Sequence, residues 1–134
     1  MDESQPKGRL VKMARQMLAG FVILRLEDTF TSGNPDIAAA GLNFVSWWEV
    51  KLADPTFTSK GIQEDTMVRL DAVSFARYII YELDKKTGDK SVRIVRPCDF
   101  KTWKTVGFSV ADWTHQWVVE NILRAHASKG KTEF

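Results

Sequence analysis

The sequence predicts an α/β protein, in which one mixed central β-sheet is flanked by helices. Three observations lead there. Short runs rich in branched and aromatic residues recur at 21–26, 36–40, 44–52, 77–83 and 91–95. Longer stretches at 7–19, 62–76 and 109–127 repeat apolar residues at helical spacing instead. The resulting order is helix, three strands, helix, strand, strand, helix. A strand meander followed by a crossover helix returns the chain parallel to the strand it left, so the sheet is mixed.

In the first helix, 7–19, Leu10, Val11, Ala14, Met17 and Leu18 fall on one stripe, and Gly20 follows as a C-terminal stop. The segment 21–26 reads as a buried strand. Thr31-Ser32-Gly33-Asn34-Pro35 is a turn-forming cluster. After the strand 36–40, Gly41-Leu42-Asn43 turns the chain into 44–52, the most hydrophobic strand of all. Pro55 breaks regular structure before the helix at 62–76, which is expected to bury Met67, Leu70, Val73 and Ala76. Strands 77–83 and 91–95 are joined through a hairpin connection containing Gly88. Residues 97–107 read as a loop holding Phe100 and Trp103. Ser109, with Asp112 three residues on, resembles a capping box. It would open a last helix to about Ala127, partly lined by Val110, Trp113, Trp117, Val118 and Leu123. Residues 1–6 and 128–134 are expected as frayed ends.

Composition narrows the function classes. A chain of 134 residues, 44% apolar and 27% charged, suits a single globular domain. Folding should bury roughly two-thirds of its surface. No apolar run approaches the roughly 18–20 residues of a membrane span, and the N-terminal stretch is polar. A cytoplasmic protein without membrane contact is therefore expected. One cysteine, Cys98, excludes an internal disulfide and a multi-cysteine zinc site, and it reads as a small semi-buried residue. Two histidines, His115 and His126, leave little for a histidine-based metal site; His115 reads as a helix-surface residue. The net charge is only +2, but the basic residues are segregated. Lys7, Arg9, Lys12 and Arg15 share the first helix, and a second group surrounds the 84–90 hairpin. Such segregation allows a basic face that grips a DNA backbone, and it equally describes a solvated face.

The segment that carries chemistry runs from Ser32 to Lys51. Asp36 is followed, after twelve residues, by Glu49, Val50 and Lys51. Strand periodicity puts Glu49 and Lys51 on one face and sends Trp48, Val50 and Leu52 into the core. Two charges on one face of an apolar strand are costly to bury unless that face lines a cleft for an ion. Phosphodiester hydrolysis creates the need. It requires an activated water and neutralised charge, which divalent metal ions supply. Magnesium takes oxygen ligands, usually one or two carboxylates plus waters and phosphate. Asp36 and Glu49 would be those carboxylates, with the Val50 carbonyl as a further ligand. Lys51 would orient the attacking water or hold the phosphate.

Pro35-Asp36 and Glu49-Val50-Lys51 resemble the signature of the PD-(D/E)XK nuclease superfamily. The stretch 20–51, with its Gly-Phe helix end and the Ser-Gly turn before the aspartate strand, is similar to archaeal and phage Holliday junction resolvases. The likeness covers roughly residues 7–96 and extends to virus-type replication-repair nucleases. It implies a restriction-endonuclease-like fold, an αβββαβ core with an extra strand and a C-terminal helix. It further implies a magnesium-dependent endodeoxyribonuclease, with manganese able to substitute, cutting four-way DNA junctions as a homodimer. By the resemblance, Asp36 and Glu49 are metal ligands and Lys51 is the catalytic lysine. Ser32 matches the serine near the scissile phosphate, and Gln63 a glutamine at the start of the crossover helix.

One departure matters. The family's first helix usually carries a glutamate about three turns before its Gly-Phe end, where this chain has Lys7, Gly8 and Arg9. Glu3 or Glu27 would have to supply that carboxylate. A DNA-binding module on a decayed nuclease fold is therefore the reading from a different class.

The remaining candidates each have two readings. Trp47, on the Glu49 face, serves either base stacking or the core, whereas Trp48 reads as core. Arg25 and Arg77 suit phosphate contacts or surface ion pairs. Residues 56–60, with Lys60, read as a loop touching DNA or as a polar connection. Val118, Val119, Ile122 and Leu123 on the last helix, or the strand hairpin, are candidates for the dimer surface.

Overall fold

The computed structural model describes residues 4–26, 35–53 and 65–134. The elements are α1 (Ser4–Met17), β1 (Val22–Arg25), β2 (Ile37–Gly41), β3 (Phe44–Ala53), α2 (Asp65–Val73), β4 (Ala76–Leu83), β5 (Lys90–Val95), a 3-10 helix (Pro97–Thr102), β6 (Ser109–Ala111) and α3 (His115–Ala127).

The strands lie in one sheet in chain order, β1-β2-β3-β4-β5-β6. Only β3 and β4 run parallel; every other neighbouring pair is antiparallel. The mixed sheet expected from the element order is thus present. Leu42 and Asn43 join β2 to β3 with φ of 55° and 57°, the two left-handed residues a tight hairpin turn needs. At the preceding position a side chain would not fit: a Cβ on Gly41 would stand 2.6 Å from the Phe21 ring.

Period-two alternation splits the sheet into two apolar faces. On one, Ile37, Ala39, Trp48, Val50, Ile79 and Ile94 pack against Leu10, Val11 and Ala14 of α1 and Val118, Val119 and Ile122 of α3. On the other, Ala53, Ala76, Tyr78, Ile80 and Val95 meet Met67 of α2 together with Phe100 and Trp103. Helices therefore cover both faces.

A buried polar chain stitches α3 to the β2–β3 hairpin. The Trp48 indole donates to Ser46 Oγ at 2.7 Å, and Ser46 Oγ lies 2.7 Å from His126 Nε2. His126 Nδ1 is 2.8 Å from the Gly41 carbonyl. A carbonyl only accepts, so Nδ1 carries the hydrogen and, in the neutral ring, Nε2 accepts from the Ser46 hydroxyl. Burial lowers the His126 pKa, partly opposed by the Gly41 carbonyl.

Several expectations are corrected. Val73 is 83% exposed, and Ala76 is buried as the first residue of β4 rather than on α2. Residues 97–107 include a 3-10 helix, opened by Pro97, whose Phe100 stacks on Tyr78 at a 4.0 Å centroid separation. Ser109 does not cap a helix. Ser109–Ala111 pairs with β5 as β6, Asp112 turns the chain at φ 64°, and α3 begins only at His115. The 128–134 tail is not frayed. Phe134 is buried against Phe75 and Phe108, and Arg77 donates to its carbonyl at 2.9 Å. Val118, Val119 and Ile122 are spent in the core and offer no dimer surface; only Leu123 of that group is exposed. Cys98 is exposed, not semi-buried. No helix among the described residues is long and apolar enough to cross a membrane.

Candidate functional site

The site grows from the unequal lengths of β2 and β3. The Trp47 amide donates to Phe75 just before β4, so the backbone groups of Trp47, Glu49 and Lys51 point toward β4. Those of Trp48 and Val50 point toward β2. The Trp48 carbonyl accepts from the Asp36 amide at 2.9 Å. There β2 has reached its start at Ile37, and its backbone offers Val50 no partner. The Asp36 side chain fills the place: Oδ2 accepts the Val50 amide at 2.8 Å. Asp36 is thus fixed through its backbone to the residue before Glu49 and through its carboxylate to the residue after it. The Val50 carbonyl, directed like its own amide, opens on the same side as Asp36.

Glu49 and Lys51 share the opposite face of β3 from Trp48 and Val50, as the period predicts. Lys51 Nζ lies 3.7 Å from Glu49 Oε2, with side chains 20% and 4% exposed. Trp48 is fully buried core, as expected, while Trp47 is half-buried against the α2-side cluster.

Lys7 is the residue that sequence reasoning misplaced. It stands three and four residues before the buried Leu10 and Val11, which turns it toward the sheet. Its Nζ lies 3.3 Å from Asp36 Oδ1. The signal was in the sequence, since Lys7 extends the apolar stripe of α1 by one turn. Of the other helix-1 cations, Arg9 and Lys12 are exposed, and Arg15 donates to the Ile23 carbonyl at 3.0 Å. Arg25, exposed at the end of β1, reaches back over α1. Its guanidinium sits 3.8 Å from where a Cβ on Gly8 would stand. Leu26, next in the chain, donates its amide to the Asp36 carbonyl at 2.6 Å. Arg25 and Lys7 therefore approach the Asp36 segment from two elements.

Two candidates leave the surface. Arg77 is buried, with Asp71 on Nη1 and the Phe134 carbonyl on Nη2, so it is a structural cation and no phosphate ligand. Burial lowers its pKa, opposed by Asp71. His115 is half-buried rather than a plain surface residue, with Nδ1 2.8 Å from the Tyr81 hydroxyl. Burial and the nearby Arg9 charge lower its pKa. Ser32, Gln63, Glu3, Glu27 and Lys60 lie outside the described residues.

Among the described residues no group of three or more His, Cys, Asp or Glu side chains forms a metal cluster. The oxygen donors at this point of the sheet are the carboxylate of Asp36 and the carbonyl of Val50, with Glu49 lying in sequence between the two residues that anchor Asp36. Each Asp36 oxygen keeps a lone pair beyond its present bond. Such a set fits magnesium, which fills its shell with water and substrate oxygens when protein ligands are few. A separate cleft of about 810 Å³, unforeseen from the sequence, lies at the carboxyl ends of β3 and β4 between Ala53, Glu82, Lys90, Trp103 and Lys104. No protein-family model matches the chain, and no curated protein matches it.

Proposed function

We propose that the chain is a magnesium-dependent endodeoxyribonuclease of the PD-(D/E)XK type, on a restriction-endonuclease-like fold, acting on four-way DNA junctions. The observation that carries this reading is the docking of the Asp36 carboxylate on the Val50 amide, which seats it beside Glu49-Val50-Lys51. Asp36, Glu49 and the Val50 carbonyl would hold the ion. A bound magnesium ion would polarise the phosphate and lower the pKa of water. Lys51 holds Glu49 in place and offers its ammonium to a phosphate oxygen. Arg25 offers a fork suited to the flanking backbone. Symmetric nicks on opposed strands require two sites at fixed separation, which a two-fold homodimer supplies.

The test is incubation of labelled four-way junction, flap and linear duplex with the protein, with and without magnesium. Paired symmetric nicks confined to the junction support the resolvase. Preferential flap cutting moves the reading to a replication-repair nuclease, and equal cutting of linear duplex contradicts junction selectivity.

A second reading, a DNA-binding module without catalysis, is favoured by the Lys7 ammonium on Asp36, where a carboxylate is expected. It predicts tight junction binding with every substrate left intact.

A further inference from the structure

α1 delivers a cation to the acidic end of the site. Leu10, Val11 and Ala14 anchor the helix on the sheet, and Pro6 is buried beside Lys7. The position of Lys7 is therefore set by core packing and not by a chance side-chain excursion. The Lys7 side chain is 18% exposed and the Asp36 side chain 22%, so the pair sits partly out of water, where a charge-assisted bond is stronger than at an open surface. The other Asp36 oxygen is fixed on Val50. Asp36 cannot turn Oδ1 away from Lys7 without giving up that backbone bond as well.

We propose that Lys7 is a positioning residue whose ammonium competes with a divalent cation for the Asp36 carboxylate. This rests on the nuclease reading and deepens it. The chain replaces a third carboxylate with a built-in monovalent cation, which keeps Asp36 oriented while no metal is bound and weakens the hold on metal. Two positive charges do not share one carboxylate oxygen at no cost. Removing the ammonium leaves Asp36 anchored by Val50 and open to the ion. Replacing Lys7 by glutamate supplies the carboxylate that no other described residue provides.

The experiment is a manganese titration of the intact chain, reading free Mn2+ by its paramagnetic resonance signal. Wild type, Lys7→Gln, Lys7→Glu and the double variant Lys7→Gln/Asp36→Asn are compared, with circular dichroism confirming the fold of each. The expected result is uptake about tenfold tighter in Lys7→Gln, tighter again in Lys7→Glu, and lost in the double variant. A second readout covers a misfolding Lys7→Glu: its melting temperature, lowered by two facing carboxylates, rises on adding Mn2+ by more than that of wild type. Equal affinity of wild type and Lys7→Gln overturns the inference and leaves the nuclease reading standing. Absence of uptake in every variant overturns both.

Discussion

The Asp36 carboxylate takes the place of a missing strand: its Oδ2 accepts the Val50 amide at 2.8 Å, where the backbone of β2 no longer reaches. The residue therefore has a structural duty that its charge does not perform. Asp36→Asn keeps a carbonyl oxygen for Val50, and stability in urea should stay within about 1 kcal/mol of wild type. Cleavage should vanish while junction binding persists. Asp36→Ala strands the amide and should cost about 1–3 kcal/mol. Equal losses from both variants would show that the hydrogen bond is not what holds the site.

Lys51 faces a carboxylate that is nearly buried. Lys51→Met should lower turnover by about 10²–10⁴-fold. It should also destabilise the fold by about 1–2 kcal/mol, less than a fully buried pair because Lys51 is itself 20% exposed. Adding Glu49→Gln should return most of that stability. A double variant as unstable as the sum of the two singles would refute the coupling.

His126 makes stability depend on pH. Its pKa lies below the ordinary 6.5 because burial disfavours the imidazolium. The unfolded chain therefore binds a proton that the folded chain refuses. The stabilisation is complete above pH 6.5 and is lost as pH falls through the lowered folded value. His115, shifted the same way, adds to the slope. The unfolding free energy from urea titrations should fall on acidification by up to about 1.4 kcal/mol per pH unit for each histidine. In His126→Gln the slope should shrink; an unchanged slope would remove His126 from the account.

The chain end offers a contrast between two substitutions. Phe134→Ala empties a site between Phe75 and Phe108 and should cost about 3 kcal/mol. Ser109→Ala touches an exposed residue of β6 and should change stability by less than about 0.5 kcal/mol. Thermal unfolding of both distinguishes the tail that packs from the cap that does not exist.

These differences show what was legible in advance. The alternation of Trp48, Val50 and Leu52 with Glu49 and Lys51 announced β3 and its two faces, because a strand between covered faces leaves few other solutions. The crossover from β3 to β4 followed from element order. What local pattern could not reveal depended on distant partners. Ser109 and Asp112 have the spacing of a cap, but β5 offers Ser109–Ala111 a ladder, and Asp112 tolerates the left-handed turn that follows. The apolar residues of α3 suggest a surface for a partner, yet α1 and the sheet bury Val118, Val119 and Ile122. The 128–134 tail lacks periodicity, and its order comes from one aromatic ring meeting two others and from Arg77 on the Phe134 carbonyl. Lys7 was visible as a cation but not as the neighbour of Asp36, since only the seating of α1 on the sheet brings them together.

The most direct measurement is a denaturing gel of an end-labelled four-way junction incubated with wild type and Asp36→Asn in magnesium. The account predicts a matched pair of cuts on opposing strands with wild type and none with the variant, although both retard the junction on a native gel. Uncut strands from a wild-type protein that binds the junction would contradict it, and would leave a protein that holds DNA without hydrolysing it.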